Sequence, residues 1–158
     1  MTPADGSEPV GPEISHPLLR ELHAYWDGKR AGRAMPARRD LDPVEIPGLL
    51  KHLILLDVTH DPLRFRVRLY GTAVADLRGR DLTGRYLYED GVTQIGQHIR
   101  PFNVATVEER RPHFRIGDYT DISDGRTGTY YRLGLPLSSD GETVDMLMIG
   151  LIREWGDG

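Results

Sequence analysis

The sequence has no cysteine, no long apolar run and no excess of basic residues. Each shortage removes a class of function. Without thiols there are no disulfides, no zinc sites built on thiolates, no thiol nucleophile and no chromophore held through a cysteine adduct. A membrane helix needs roughly 18 or more consecutive apolar residues, and the apolar stretches here, such as Leu53–Leu56 and Met146–Ile152, fall well short. Met1 to Ile14 are rich in Pro, Gly and acids, without the basic start and apolar centre of a secretory signal. A cytoplasmic location is the expectation. The net charge is −4, from 20 Lys+Arg against 24 Asp+Glu, whereas a nucleic-acid binder gathers a basic surplus on one face. Eighteen of the cations are Arg and two are Lys (Lys29, Lys51), scattered along the chain.

Catalytic signatures are missing as well. There is no GxSxG, no P-loop and no GxGxxG opening a helix after a strand. The six histidines, His16, His23, His52, His60, His98 and His113, show no HxH or HxxxH spacing that would put two ligands on one metal. Asp118, Asp121 and Asp124 with Gly125 lack the length and terminal glutamate of an EF-hand loop. The chain is expected not to be an enzyme.

What is present is the pattern of one α+β domain, since 158 residues leave room for a single core. Residues 1–14, with Pro3, Pro9, Pro12, Gly6 and Gly11, are expected to form a disordered leader. Ser15 is the expected N-cap of an amphipathic helix with Pro17 in its first turn, and Leu18, Leu19, Leu22, Tyr25 and Trp26 recur at helical spacing to about Lys29. Asp42 should cap a short helix opening on Pro43 and limited to about two turns by Pro47. Residues 15–50 thus read as a helical extension.

The apolar run from Lys51 to Val58 reads as a strand. After a turn at His60 to Pro62, a second strand alternates Phe65, Val67 and Leu69 against Arg64, Arg66, Arg68 and Tyr70, making a hairpin. Short helical pieces lead to a longer helix from about Val92 to Arg111, carrying Ile95, Ile99, Phe102, Thr106 and Val107, kinked or split at Pro101 and ended by Pro112. Three strands follow: His113 to Thr120, Thr129 to Leu137 with Tyr131, Leu133, Leu135 and Leu137 inward, and Val144 to Ile152. Asp124-Gly125 and Asp140-Gly141 supply their turns. The order predicts a five-stranded antiparallel sheet with helices on one face, the added N-terminal helix and a tail at 154–158.

Five separated segments carry a resemblance. They are Tyr25-Trp26, Pro36 to Pro43, Leu49 to Val58, Phe65 to Thr72, and Gly79-Arg-Asp-Leu-Thr-Gly84, in which small residues Ala73 and Ala75 precede two spaced glycines. In order and spacing they resemble the PAS-domain family, in particular the small single-domain PAS-like proteins common in alphaproteobacteria. The resemblance spans about Pro17 to Ile152, with a PAS-like domain at 51–153. It implies a non-enzymatic bacterial sensor or signalling module, acting by protein contact, with a cavity between sheet and helices.

The expected pocket residues are Phe65, Val67, Leu69, Phe102, Phe114, Ile116, Tyr131, Leu133, Met146 and Met148, with the Tyr131 hydroxyl as the inward polar group and a small apolar ligand as occupant. No cofactor is expected, although haem ligated by His98 or a small enzyme using the same cavity are the competing readings. The N-terminal helix, through Leu18, Leu22, Tyr25 and Trp26, is expected to pack on its own sheet or on a second copy, giving a homodimer. With no further domain in view, the signal would pass by contact to a protein partner.

Overall fold

The computed structural model describes residues 13–78, 81–89, 99–120 and 124–156. Five strands, β1 (Leu53–Thr59), β2 (Arg64–Tyr70), β3 (His113–Thr120), β4 (Thr127–Leu137) and β5 (Met146–Trp155), form one sheet in the order β2-β1-β5-β4-β3, antiparallel throughout. The last strand in the chain is therefore the central one. β1 and β5 read as continuous apolar runs because both of their faces are covered. The helices are α1 (Pro17–Arg30), α2 (Thr72–Arg78) and α3 (Arg100–Glu109), with three single turns of 3₁₀ helix between α1 and β1. No helix among the described residues is long and apolar enough to cross a membrane.

The register assigns each strand residue to a face. Gly134 on β4 lies against α3, where a Cβ would stand 2.9 Å from Phe102 Cε1 and 3.1 Å from Thr106 Oγ1. Gly150 on β5 lies against α1, where a Cβ would stand 2.6 Å from Leu19 Cδ2 and 2.9 Å from Leu22 Cδ2. Gly134 pairs with Ile149 and Gly150 with Leu133, so the two helices pack on opposite faces of the sheet. Leu19, Leu22 and Trp26 are buried there, and the Trp26 Nε1–H donates to the Pro136 carbonyl at 2.9 Å.

Local chemistry moves several expected boundaries. His16, not Ser15, caps α1: its Nδ1 accepts from the Leu18 N–H, so the ring reaches the orphan donor expected to meet a serine hydroxyl. Ile14, expected in the leader, is fully buried in the core; residues 1–12 lie outside the described residues. Asp42 does cap Pro43–Glu45, but the element is one 3₁₀ turn. β2 departs from simple alternation. Its register against β1 shifts between Leu55 and Leu56, skipping Arg68, so Phe65, Val67 and Tyr70 share one face while Leu69 turns to the other and is 38% exposed. Pro101 sits in the first turn of α3, where its missing N–H costs nothing, and Arg110 at φ 55° ends the helix before Pro112. The edge of β2 is covered: Val67 N–H donates to Arg85 O, and Gly84 and Leu87 N–H donate to Val67 O and Phe65 O.

Candidate functional site

The face under α3 carries the sheet's buried polar groups. On β4 this face is the series Gly128, Tyr130, Arg132, Gly134 and Pro136, which alternation makes look solvent-facing. Gly134 has no side chain to hold α3 away, so the helix settles onto the strand and buries Arg132 to 4% exposure, with Asn103 and Thr106 at 0%. Phe102, Asn103, Thr106 and Val107 recur at three- and four-residue spacing, giving α3 one sheet-facing stripe. The Thr106 hydroxyl donates to the Phe102 carbonyl at 2.9 Å, the back-bond that satisfies a buried threonine in a helix.

A polar chain runs across three elements. Arg132 Nη2 donates to Asn103 Oδ1 at 3.0 Å, and Asn103 Nδ2 donates to the Tyr88 hydroxyl at 2.9 Å. The Arg132 guanidinium lies 5.4 Å from the centre of the Phe102 ring. Tyr88 follows the segment that lines the β2 edge and adopts φ 68°, a left-handed conformation costing a non-glycine residue roughly 1 to 2 kcal/mol. Its ring meets Phe65 edge-on at 6.2 Å and its hydroxyl is held by Asn103, so contacts to β2 and α3 fix the strained residue in place.

Beyond Arg132 the same face continues as rings and cations. Tyr130 lies over Gly117 and Tyr119 over Gly128, each ring filling the space of a cross-strand glycine. Arg153 sits 4.4 Å above the Tyr119 ring, Tyr119 meets Trp155 edge-on at 5.1 Å, and Arg126 stacks on Trp155 at 3.9 Å. At the α3 end, His113 faces Glu109 at 3.4 Å and the Phe102 ring at 6.1 Å.

The expected pocket residues divide between the faces. Phe65 and Val67 lie on the α3 face, and Phe102 reaches it from the helix. Leu69, Phe114, Ile116, Tyr131, Leu133, Met146 and Met148 lie on the α1 face, so they do not line one cavity with the first three. The Tyr131 hydroxyl donates to Glu154 Oε2 at 3.3 Å and its ring meets His16 edge-on, so it is not the inward polar group. The reason is the two-residue period: Tyr131, Leu133, Leu135 and Leu137 form the apolar row of β4, but that row faces α1, and the polar groups under α3 are Arg132, Asn103 and Thr106. Sequence offers one signal for them, an arginine two residues before a glycine in a strand. His98, the candidate haem ligand, lies outside the described residues.

Of the expected partner residues, Leu22 and Trp26 are spent on the chain's own sheet, which leaves them unable to serve a second copy at the same time. Leu18 and Tyr25 are half-buried, and the Tyr25 hydroxyl donates to Glu45 Oε1 at 2.8 Å. Two open clefts of about 400 and 450 Å³ lie elsewhere, one between the β1–β2 turn, the end of α3 and the β4–β5 hairpin, the other beside Gly48, Lys51 and Gly71. Leu69 is the one expected pocket residue bordering either.

The fold recurs in solved structures. The PAS domain of Bordetella pertussis BvgS superposes with a TM-score of 0.53 at 23% identity, over 70% of this chain and 82% of that one. The Rhodobacter sphaeroides LOV protein is more distant, with a TM-score of 0.44 and 12% identity over 72% of this chain and 68% of its own. No curated protein matches the sequence. The PAS domain family profile matches residues 14–152, from the buried Ile14 to the end of the central strand's apolar run. A five-stranded antiparallel sheet in the order 2-1-5-4-3, with α3 on one face and a match over nearly the whole chain, means that this protein belongs to the PAS domain family.

Proposed function

We propose that the protein is a sensor module that takes a small ligand between the sheet and α3 and reports its presence to a protein partner by contact, without catalysing a reaction and without a resident cofactor. The chain from Arg132 through Asn103 to Tyr88 is the observation that carries this reading. It joins β4, α3 and a strained residue, so a molecule that displaces one member alters all three elements. Partner and ligand act on opposite sides of one sheet: the ligand on the α3 face, the partner on surfaces continuous with α1 and the end of β5. The outward side of α1, with Arg20, Glu21, Ala24 and Asp27 at or near the surface, is open to such contact.

Native mass spectrometry and an absorbance spectrum of the protein as purified test the reading together. The expected result is a colourless protein, part of which carries a small molecule that denaturation releases. A Soret or flavin band would overturn the cofactor-free proposal. Empty protein that no small molecule stabilises would overturn ligand binding.

A further inference from the structure

The two edges of the sheet are treated differently. The β2 edge is bonded by the backbone of Gly84, Arg85 and Leu87, whereas no backbone group among the described residues bonds the outer edge of β3. β3 also lacks the devices that usually blunt an open edge: it runs eight residues with no proline, no lysine and no register shift against β4. Ile116, in its middle, is 50% exposed.

The ladder shows which backbone groups this edge offers. Gly156 N–H donates to Thr127 O, one step beyond the Gly128–Trp155 pair, so Thr127 turns its backbone toward β5. Antiparallel strands alternate, which turns Gly128, Tyr130, Arg132 and Gly134 toward β3. Pro136 continues that series, and its carbonyl is free of β5 and meets Trp26. On β3 the partners of those residues are Tyr119, Gly117, Arg115 and His113. Phe114, Ile116, Asp118 and Thr120 therefore present their N–H and C=O groups outward.

We propose that a second copy of this chain pairs antiparallel along β3, with Ile116 opposite Ile116 of the second copy on a twofold axis perpendicular to the sheet. Such an axis keeps the α1 face of one copy continuous with that of the other. Each outward residue then meets another outward residue: Ile116 meets itself and Phe114 meets Asp118, every pair exchanging both backbone bonds. Charge removes two neighbouring registers, since an axis at Arg115 or Asp118 sets like charges directly opposite each other. An axis at Phe114 runs Ile116 against Pro112, which has no N–H. An axis at Gly117 sets each exposed isoleucine against an Asp118 carboxylate. Only the Ile116 axis takes the exposed isoleucines out of water against each other. On the α3 face the same register puts the exposed Arg115 opposite Gly117, whose space is filled by the Tyr130 ring, so a guanidinium comes over an aromatic face across the interface. This surface is separate from the ligand site and from α1, whose Leu22 and Trp26 are buried on their own sheet.

Sedimentation over a wide concentration range tests the proposal. The interface is small, so monomer and dimer in concentration-dependent exchange are expected. Ile116→Pro removes an N–H that no strand of the same chain uses, and should keep the monomer folded while abolishing the dimer. Ile116→Lys keeps that N–H, brings two ammonium groups together on the axis and should weaken dimerisation on the order of tenfold or more. Register is read by cross-linking, since the chain has no cysteine of its own. Across the axis the two Cα atoms of residue 116 stand about 5.5 Å apart, within disulfide reach, whereas those of residue 118 are separated by roughly 13 Å along the strands. Ile116→Cys should oxidise readily to a covalent dimer and Asp118→Cys should not. Equal cross-linking of the two would overturn the Ile116 axis. A dimer that survives both Ile116→Pro and Ile116→Lys would overturn the β3 edge as its interface, and a wild-type protein that stays monomeric throughout would overturn the proposal as a whole.

Discussion

At Gly71 the chain leaves β2 for α2 with the backbone of Leu50 and Lys51 packed where a side chain would begin. A Cβ there would stand 2.6 Å from the Lys51 carbonyl carbon and 2.8 Å from Leu50 O, atoms that cannot rotate away. Gly71→Ala should therefore destabilise the domain by about 1 to 3 kcal/mol or more, the range of overpacking, read from urea unfolding against wild type. Asp140 makes a different demand on its surroundings. In the β4–β5 hairpin its carboxylate accepts from the Glu142 and Thr143 N–H groups and from the Ser138 hydroxyl, and these bonds, the two backbone ones foremost, hold its pKa down from 3.8 to about 2. A depressed folded-state value means that the carboxylate's contribution is complete above the unfolded value and is lost as pH falls from 3.8 toward about 2. The carboxyl ¹³C shift of Asp140 should titrate with a midpoint near the lower figure; a midpoint at the upper one would show that the hairpin bonds do not select the ionised form.

Helix α1 closes the face of the sheet that α3 leaves open, and its stability role follows from Trp26. The residue is 3% exposed and its Nε1–H satisfies the Pro136 carbonyl. Trp26→Ala should cost about 3 to 5 kcal/mol through the cavity and the lost bond, whereas Trp26→Phe keeps most of the volume and should lose about 1 kcal/mol for the hydrogen bond. Equal losses in the two variants, measured by denaturant midpoint, would mean that the hydrogen bond and not the packing anchors the helix. The amphipathic spacing from Leu18 to Trp26 makes α1 legible in the sequence, as the apolar runs of β1 and β5 make the central strands legible. Faces are harder. Alternation misplaces Leu69 because a one-residue bulge at Arg68 reverses everything after it, and sequence carries no mark of a bulge without a partner strand to count against. Arg132 escapes notice for a related reason: on an alternating strand a polar row reads as solvent-facing, and only the closeness that Gly134 allows to α3 turns it into an interior one.

Across the whole molecule, the sheet separates two tasks. Its α1 face is held by apolar packing and carries the strand carboxylates, while its α3 face carries three arginines and the buried chain from Arg132 to Tyr88. The value of that chain lies in coupling, since Asn103 serves both neighbours with opposite ends of one amide and cannot turn toward one without losing the other. Asn103→Ala removes an acceptor from a cation that is 4% exposed and should cost about 2 to 3 kcal/mol. Tyr88→Phe removes only the hydroxyl and should cost about 1 kcal/mol. Once Asn103 is gone the Tyr88 hydroxyl has no amide left to meet, so the double variant should cost less than the two single losses added together. The shortfall, about 1 kcal/mol in a double-mutant cycle, measures the bond between α3 and the strained segment directly. Additive losses would mean that the Asn103 bond does not help to hold Tyr88 in its left-handed backbone, and that displacing Arg132 from Asn103 would not reach the β2 edge.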